Sequence, residues 1–228
     1  MDLLLMGAKG RMGQEVTALA VAEEDIRILP VDKVPPCLRL EEVGARHVDA
    51  VLDFSHHSAT SSLLEFAQKR GIPAVIATTG HTEEEKAYMQ KVSRDIPILP
   101  CENFSLGAWV FFSLARQVAE HFGQGEGEIL EIHRKGKKDT PSGTALKLKE
   151  YLEMAGDGWD LPISSLRVGE TVGVHSVCLG NDDESITLTH RVQKRGVFAK
   201  GSLLACRFLL GKAAGLYSLL DMVKRHDT

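Results

Sequence analysis

Residues 2–13, Asp2-Leu3-Leu4-Leu5-Met6-Gly7-Ala8-Lys9-Gly10-Arg11-Met12-Gly13, run a short apolar strand straight into a glycine-spaced turn. Beyond the turn, Met12, Val16, Leu19 and Ala20 recur at i, i+4, i+7 and i+8, the spacing of one helix face. Strand, glycine turn and helix in that order make a seat for a phosphate. The glycines allow a tight turn, admit the backbone close to a pyrophosphate and let helix and strand pack closely. The first N–H groups of the helix, at the positive end of its dipole, then face the anion. In the usual G-x-G-x-x-G pattern Ala8 takes the first position, Gly10 and Gly13 the others, and Gly7 precedes them. Asp32 stands at the end of the next apolar run, 19 residues after Gly13 (32 − 13), where a carboxylate accepts from adenosine ribose hydroxyls. Lys33 follows it, and Lys9 and Arg11 lie in the turn. A carboxylate favours a free 2′-hydroxyl and nearby cations tolerate a 2′-phosphate, so NADH and NADPH both stay open. A purely structural turn is the alternative.

Outward from this turn, short apolar runs at 26–31, 50–54, 74–77 and 96–99 alternate with helical patterns at 59–70 and 82–94. Thr82 and Glu85 form a capping box that opens the second helix. Such alternation predicts a parallel sheet covered on both faces, an α/β unit of Rossmann type. The texture changes after Cys101. Leu106, Val110, Leu114 and Val118 mark a long amphipathic helix, and residues 128–133 read as a strand. A basic loop and another helix, from about Pro141, follow. Residues 166–192 hold strand-like pieces without helices between them, with Ile186, Leu188, His190 and Val192 on one face. A second, α+β domain with a mixed or antiparallel sheet is expected there, closed by helices at 199–210 and 214–225.

The composition excludes several classes. Of 228 residues, 43% are hydrophobic and 25% charged, and the net charge of −4 offers no positive field to nucleic acid or an anionic membrane. No apolar run approaches the ~20 residues of a spanning helix. The initial apolar stretch is too short for a signal peptide and lacks a basic flank. Cys37, Cys101, Cys178 and Cys206 form no C-x-x-C pair, so reduced thiols in a cytoplasmic protein are expected. No H-E-x-x-H or similar spacing occurs, and no metal is expected.

The second informative stretch is Glu131-Ile132-His133-Arg134-Lys135-Gly136-Lys137-Lys138-Asp139-Thr140-Pro141-Ser142-Gly143-Thr144-Ala145. Proline suits a first helical turn. The N–H groups of Ser142, Gly143 and Thr144, with two hydroxyls, would then hold a carboxylate or phosphate. His133, at a strand end, could supply a proton near neutral pH, and Lys137 could neutralise a second carboxylate or share the transfer. The bland alternative is a solvated basic loop before a well-capped helix. His56 and His57 read as solvated loop residues and His175 and His190 as sheet residues. Trp109, Phe111 and Phe112 read as core or interface.

Taken together, Gly7–Gly13 and the Glu-x-His…Lys-x-Asp-x-Pro-Ser-Gly-Thr-Ala segment resemble the dihydrodipicolinate reductase family. Further matches are Leu52–Ser55, Ala77–Gly80, Asn103–Gly107, Arg167…His175 and Thr189…Gly201, so the resemblance spans nearly the whole chain. It implies hydride transfer from NADH or NADPH to C4 of a cyclic dicarboxylate, converting 4-hydroxy-tetrahydrodipicolinate to tetrahydrodipicolinate in lysine and diaminopimelate biosynthesis. It casts His133 as general acid and Lys137 as its helper, with Arg134, Lys137, Ser142, Gly143 and Thr144 on the substrate. Phe54, Ala77, Thr78, Thr79, Asn103 and Phe104 join the turn residues at the coenzyme. The resemblance also implies a homotetramer, and a cofactor domain over 1–104 onto which 211–228 packs back. Residues 105–210 would form the substrate and oligomerisation domain. Three departures stand out. Arg134 replaces a second histidine and cannot titrate; Ala77 replaces a glycine; and the stretch between Val31 and Ala50 is short. A two-domain amino-acid dehydrogenase, such as one acting on aspartate, and a non-catalytic dinucleotide sensor are the competing readings.

Overall fold

The computed structural model describes residues 1–156 and 158–223. Strands β1 (Asp2–Met6), β2 (Arg27–Val31), β3 (Ala50–Asp53), β4 (Ala74–Ile76) and β5 (Pro97–Pro100) alternate with helices α1 (Arg11–Val21), α2 (His57–Arg70) and α3 (Glu83–Val92). Leu3, Leu4, Leu5, Val51 and Leu52 are wholly buried, as continuous apolar runs in a two-sided parallel sheet must be. The Thr82–Glu85 capping box opens α3, and Gly71, in the left-handed conformation, ends α2.

Helix α4 (Leu106–Phe122) then leads into β6 (Gly125–His133), α5 (Gly143–Glu153), β7 (Trp159–Asp160), β8 (Ile163–Arg167), β9 (Gly173–Gly180) and β10 (Ser185–Val192). The sheet is mixed: β6 runs parallel to β7 and β8 but antiparallel to β9, which pairs antiparallel with β10. Helices α4 and α5 cover the face that presents Ile129, Val177 and Leu179. The face of α4 differs from the expected one. Val110 is 52% and Leu114 47% exposed, while Ala108, Phe111, Phe112, Ala115 and Ala119 are buried. This helix is apolar around most of its circumference, so two stripes compete. The alanine stripe wins because small side chains bring the helix close to the sheet.

The chain returns to the first sheet through α6 (Gly196–Leu209), β11 (Gly215–Leu216) and α7 (Leu219–Val223). Helix α6 packs on α1, β3, β4 and β5. The described chain therefore divides into one unit of 1–104 with 196–223 and another of 105–195, which moves the expected boundary at 210 back to 195. Gly201 makes this close packing possible, since a Cβ there would lie 1.8 Å from the Phe104 carbonyl oxygen. A second closing helix was expected from 214. Instead β11 adds a parallel edge to β5, giving the order β11-β5-β4-β3-β1-β2, and α7 is only five residues long. The last residues of that expected helix, 224 and 225, lie outside the described residues. Among the described residues no helix is long and apolar enough to cross a membrane.

Candidate active site

In the first unit the turn after β1 is pinned to β2, with the Gly7 and Ala8 N–H groups both donating to the Val31 carbonyl. Gly7 has φ +80°, and a Cβ on it would lie 2.6 Å from the Phe54 carbonyl oxygen; one on Gly13 would lie 2.3 Å from the Gly7 carbonyl oxygen. Neither position admits a side chain. Gly10 caps α1 without any side-chain acceptor, and the first turn carries no acidic residue, so the leading N–H groups are left for an anion. The Asp32 carboxylate accepts from the Lys9 N–H at 2.9 Å and the Val34 N–H at 3.1 Å, which fixes it beside the turn. A cleft of about 740 Å³ is lined by Gly7, Lys9, Gly10, Asp32, Lys33 and Phe54. An uncluttered helix start with a ribose-directed carboxylate fits a dinucleotide.

Other residues expected at the coenzyme have different positions. Gly13 lies beneath the turn and Ala8 is buried. Arg11 is exposed and Met12 half-buried on α1. Ala77 and Thr78 are buried at the end of β4, hydrogen-bonded to the Asp53 carbonyl, and Thr79 is exposed beyond them. Asn103 is half-buried. Phe104 departs from expectation: its ring is fully buried under α6 and serves the core. Arg39, which also lines the cleft, was not singled out from the sequence, because nothing local marks an exposed arginine as facing a ligand.

In the second unit the chemistry gathers around Glu131, on the covered face of β6 and 0% exposed. Its Oε1 accepts from the Ser142 N–H at 3.1 Å, the Ser165 hydroxyl at 2.7 Å and Arg167 Nη2 at 2.9 Å. Burial alone would raise this carboxyl, but those donors outweigh it and hold the pKa at about 2. The other oxygen, Oε2, lies 2.9 Å from His133 Nδ1 and 3.9 Å from His175 Nε2. The His133 and His175 rings meet edge-on, 5.0 Å between centroids. His175 Nε2 is 3.2 Å from the Ser142 hydroxyl, which also accepts from the Ala145 N–H and so caps α5.

Arg167 reaches past Glu131 to the Asp139 carbonyl and the Thr140 hydroxyl, and so ties the basic loop to the sheet. Within that loop Lys137 pairs with Asp139 at 2.8 Å, and Arg134 is half-buried. His133, Arg134, Lys137, Ser142, Gly143 and Thr144 are thereby brought to one end of one sheet. Two expectations change. Pro141 precedes the cap, so it lies outside the first turn of α5. The Ser142 N–H is already bound to Glu131, so it is not available to an incoming anion as expected.

Burial pushes the His133 imidazole below the ordinary histidine range; Glu131 and Asp139 oppose this, while Lys137 and Arg167 add to it. Burial takes His175 further, to about 3. Glu131, His133 and His175 do offer three ligand-type atoms within 4.8 Å of one another. The positive charges of Arg167, bonded to Glu131, and of Lys137, felt at His133, make this a poor seat for a cation. Sequence reasoning passed over Glu131 and set His175 aside as a sheet residue; only the β6–β9 register, which places the two opposite each other, joins them. His190 does behave as a sheet residue, stacked on Phe111.

Residues 1–104 match the family described as dihydrodipicolinate reductase, N-terminus, and residues 107–223 match its C-terminus. The chain is 38% identical to the 4-hydroxy-tetrahydrodipicolinate reductase of Caldanaerobacter subterraneus subsp. tengcongensis, with 98% of each covered. It superposes on the dipicolinate-bound dihydrodipicolinate reductase of Paenisporosarcina sp. TG-14 with a TM-score of 0.81 at 20% identity, over 96% of this chain and 97% of that one. The aspartate dehydrogenase of Thermotoga maritima gives a TM-score of 0.55 at 14% identity, over 93% and 98% respectively, a likeness of fold.

Proposed function

The chain belongs to the dihydrodipicolinate reductase family and is an NAD(P)H-dependent oxidoreductase, and we propose that it reduces 4-hydroxy-tetrahydrodipicolinate with His133 as the proton donor. The product is tetrahydrodipicolinate, in lysine and diaminopimelate biosynthesis. The observation that carries this reading is the gathering of His133, Lys137 and the start of α5 around one buried carboxylate.

Replacing a hydroxyl by hydrogen at C4 takes one hydride and one proton and releases one water. The bound coenzyme supplies the hydride. The start of α1 would hold its pyrophosphate, and Asp32 would bind the adenosine ribose. Phe54, the Ala77–Thr79 loop and Asn103 would meet the nicotinamide half of the coenzyme. One substrate carboxylate lies at the start of α5, beside Ser142, Gly143 and Thr144. Arg134 and Lys137 take the second, with Arg134 acting by charge and forked hydrogen bonds because it cannot titrate.

Burial leaves the His133 imidazole uncharged in the free protein at neutral pH. A dianionic substrate beside it favours the imidazolium, so the proton is taken up as the substrate binds and is then given to the departing hydroxyl. A general acid must be protonated to act. The free protein's kcat/KM therefore falls as pH rises through a His133 pKa below 6.5.

The bare face of the second sheet, where Leu166 is 46% exposed beside Leu130 and Ile132, supports assembly into a homotetramer, which sedimentation would measure directly. The decisive test of function follows coenzyme absorbance with freshly made 4-hydroxy-tetrahydrodipicolinate. His133→Ala and Lys137→Ala should each lower turnover by about 10²-fold or more. Unchanged rates would remove both groups from the chemistry, and coenzyme binding without turnover would favour a sensor.

A further inference from the structure

Glu131 has no part in the reaction as described above, yet its buried carboxylate is held by several donors at once. Three donors from two elements converge on Oε1: one from the start of α5, and two from β8 through Ser165 and Arg167. A carboxylate held by that many donors cannot swing. Its second oxygen is consequently fixed as well, and it faces His133 Nδ1 at 2.9 Å. That pair is close without being aligned as a hydrogen bond, and among the described residues neither Glu131 Oε2 nor His133 Nδ1 has a hydrogen-bond partner. Catalytic hydrogen bonds often stand misaligned before substrate binds and tighten afterwards. At the far side of the ring, a Cβ on Gly173 would lie 3.2 Å from His133 Nε2, so the glycine makes room for the imidazole there.

Resting on the reading of His133 as proton donor, we propose that Glu131 is its positioning residue: the fixed Oε2 accepts the Nδ1 proton, orients the ring and leaves Nε2 as the atom that delivers the reaction proton. Histidine has two ring nitrogens, and the hydrogen bond made by one decides which proton the other carries. The groups facing His133 are Glu131 on its own strand, Arg167 on β8, His175 on β9, and Lys137 and Asp139 from the loop. Of these only Glu131 and Asp139 favour the imidazolium. Loss of the Glu131 charge therefore lowers the His133 pKa further. His175 sits on the Ser142 hydroxyl and keeps the start of α5 in register with the same carboxylate.

Two measurements test this. In Glu131→Gln, kcat should fall about 10- to 100-fold with KM little changed, and the alkaline limb of the pH profile should move to lower pH. Glu131→Asp, which keeps the charge, should restore part of the rate and return the limb toward its wild-type position. Thermal melts accompany both. Because Glu131→Gln strands Arg167 and lowers the stability of the unit, nitrogen-15 histidine spectra of the wild-type protein supply the second measurement. The His133 signal is assigned by its loss in His133→Asn. Neutral His133 should be the Nδ1–H tautomer, and an Nε2–H tautomer would overturn the proposal. A wild-type pH profile and kcat in Glu131→Gln would overturn it equally. Should His133→Ala retain full turnover, the proton-donor reading fails, whereas the tautomer result stands or falls by itself.

Discussion

The coenzyme turn and the Glu131 nest are made of opposite materials. The turn is built from missing side chains: Gly7 and Gly13 have no room for a Cβ, and Gly10 leaves the helix start uncapped. Its donors are backbone amides, so an anion there would be met by peptide dipoles. The nest is built from side chains taken out of water, with Glu131 from β6, Arg167 from β8, His175 from β9 and Ser142 from α5. A site of the first kind tolerates changes of charge and fails when atoms are added. A site of the second kind fails when a charge is left without its partner.

Acid is the broadest way to break that contrast. His175 has an ordinary pKa of 6.5 and a folded value of about 3, so between them the unfolded chain binds a proton that the folded one refuses. Stability then rises with pH across that window and is lost as pH falls from 6.5 toward 3. His133 and His190, also lowered by burial, act in the same direction. Glu131, held at about 2 against 4.5, adds a loss as pH falls from 4.5 toward 2. Both tryptophans, Trp109 and Trp159, lie in the second unit, so their emission reports it alone. Urea midpoints read that way should fall by several-fold between pH 7 and pH 4; a flat profile would contradict the buried neutral imidazoles.

Arg167→Met aims at the nest alone. It strands a buried carboxylate and should cost the second unit about 3–5 kcal/mol, seen in tryptophan-detected unfolding, while coenzyme affinity in the first unit is kept. Gly13→Ala is the converse. Its methyl meets backbone, costs about 1–3 kcal/mol, and should weaken coenzyme binding by roughly 10- to 100-fold without moving the tryptophan transition. The smallest effect is expected at Arg39, exposed on the cleft wall. Arg39→Ala should change the NADPH-to-NADH affinity ratio by about 5-fold or less, as a solvated ion pair would, in parallel titrations of the two coenzymes.

The same contrast explains what could be read in advance. The turn is continuous in sequence, so its glycines, Asp32 and the strand–helix alternation around it were all legible. His133, Lys137 and the Ser142 start were legible too, because they fall within one short segment. Glu131 gave no local signal beyond a strand position, and its role depends on strand partners 34, 36 and 44 residues away, Ser165, Arg167 and His175. Helix α4 misled for another reason: with Phe111, Phe112, Val110 and Leu114 side by side, periodicity alone cannot choose a face. The two-residue β11 is too short to carry any period, so a helix was expected where an edge strand lies.

That edge strand bears on how the protein is made. Residues 215 and 216 complete a sheet whose other five strands end at residue 100. A nascent chain leaving the ribosome thus exposes the flank of β5 until more than a hundred further residues are synthesised, on the order of ten seconds at ordinary elongation rates. During that interval 105–195 can collapse by itself, while the coenzyme half waits, its α6 groove empty and its sheet open to a wrong neighbour.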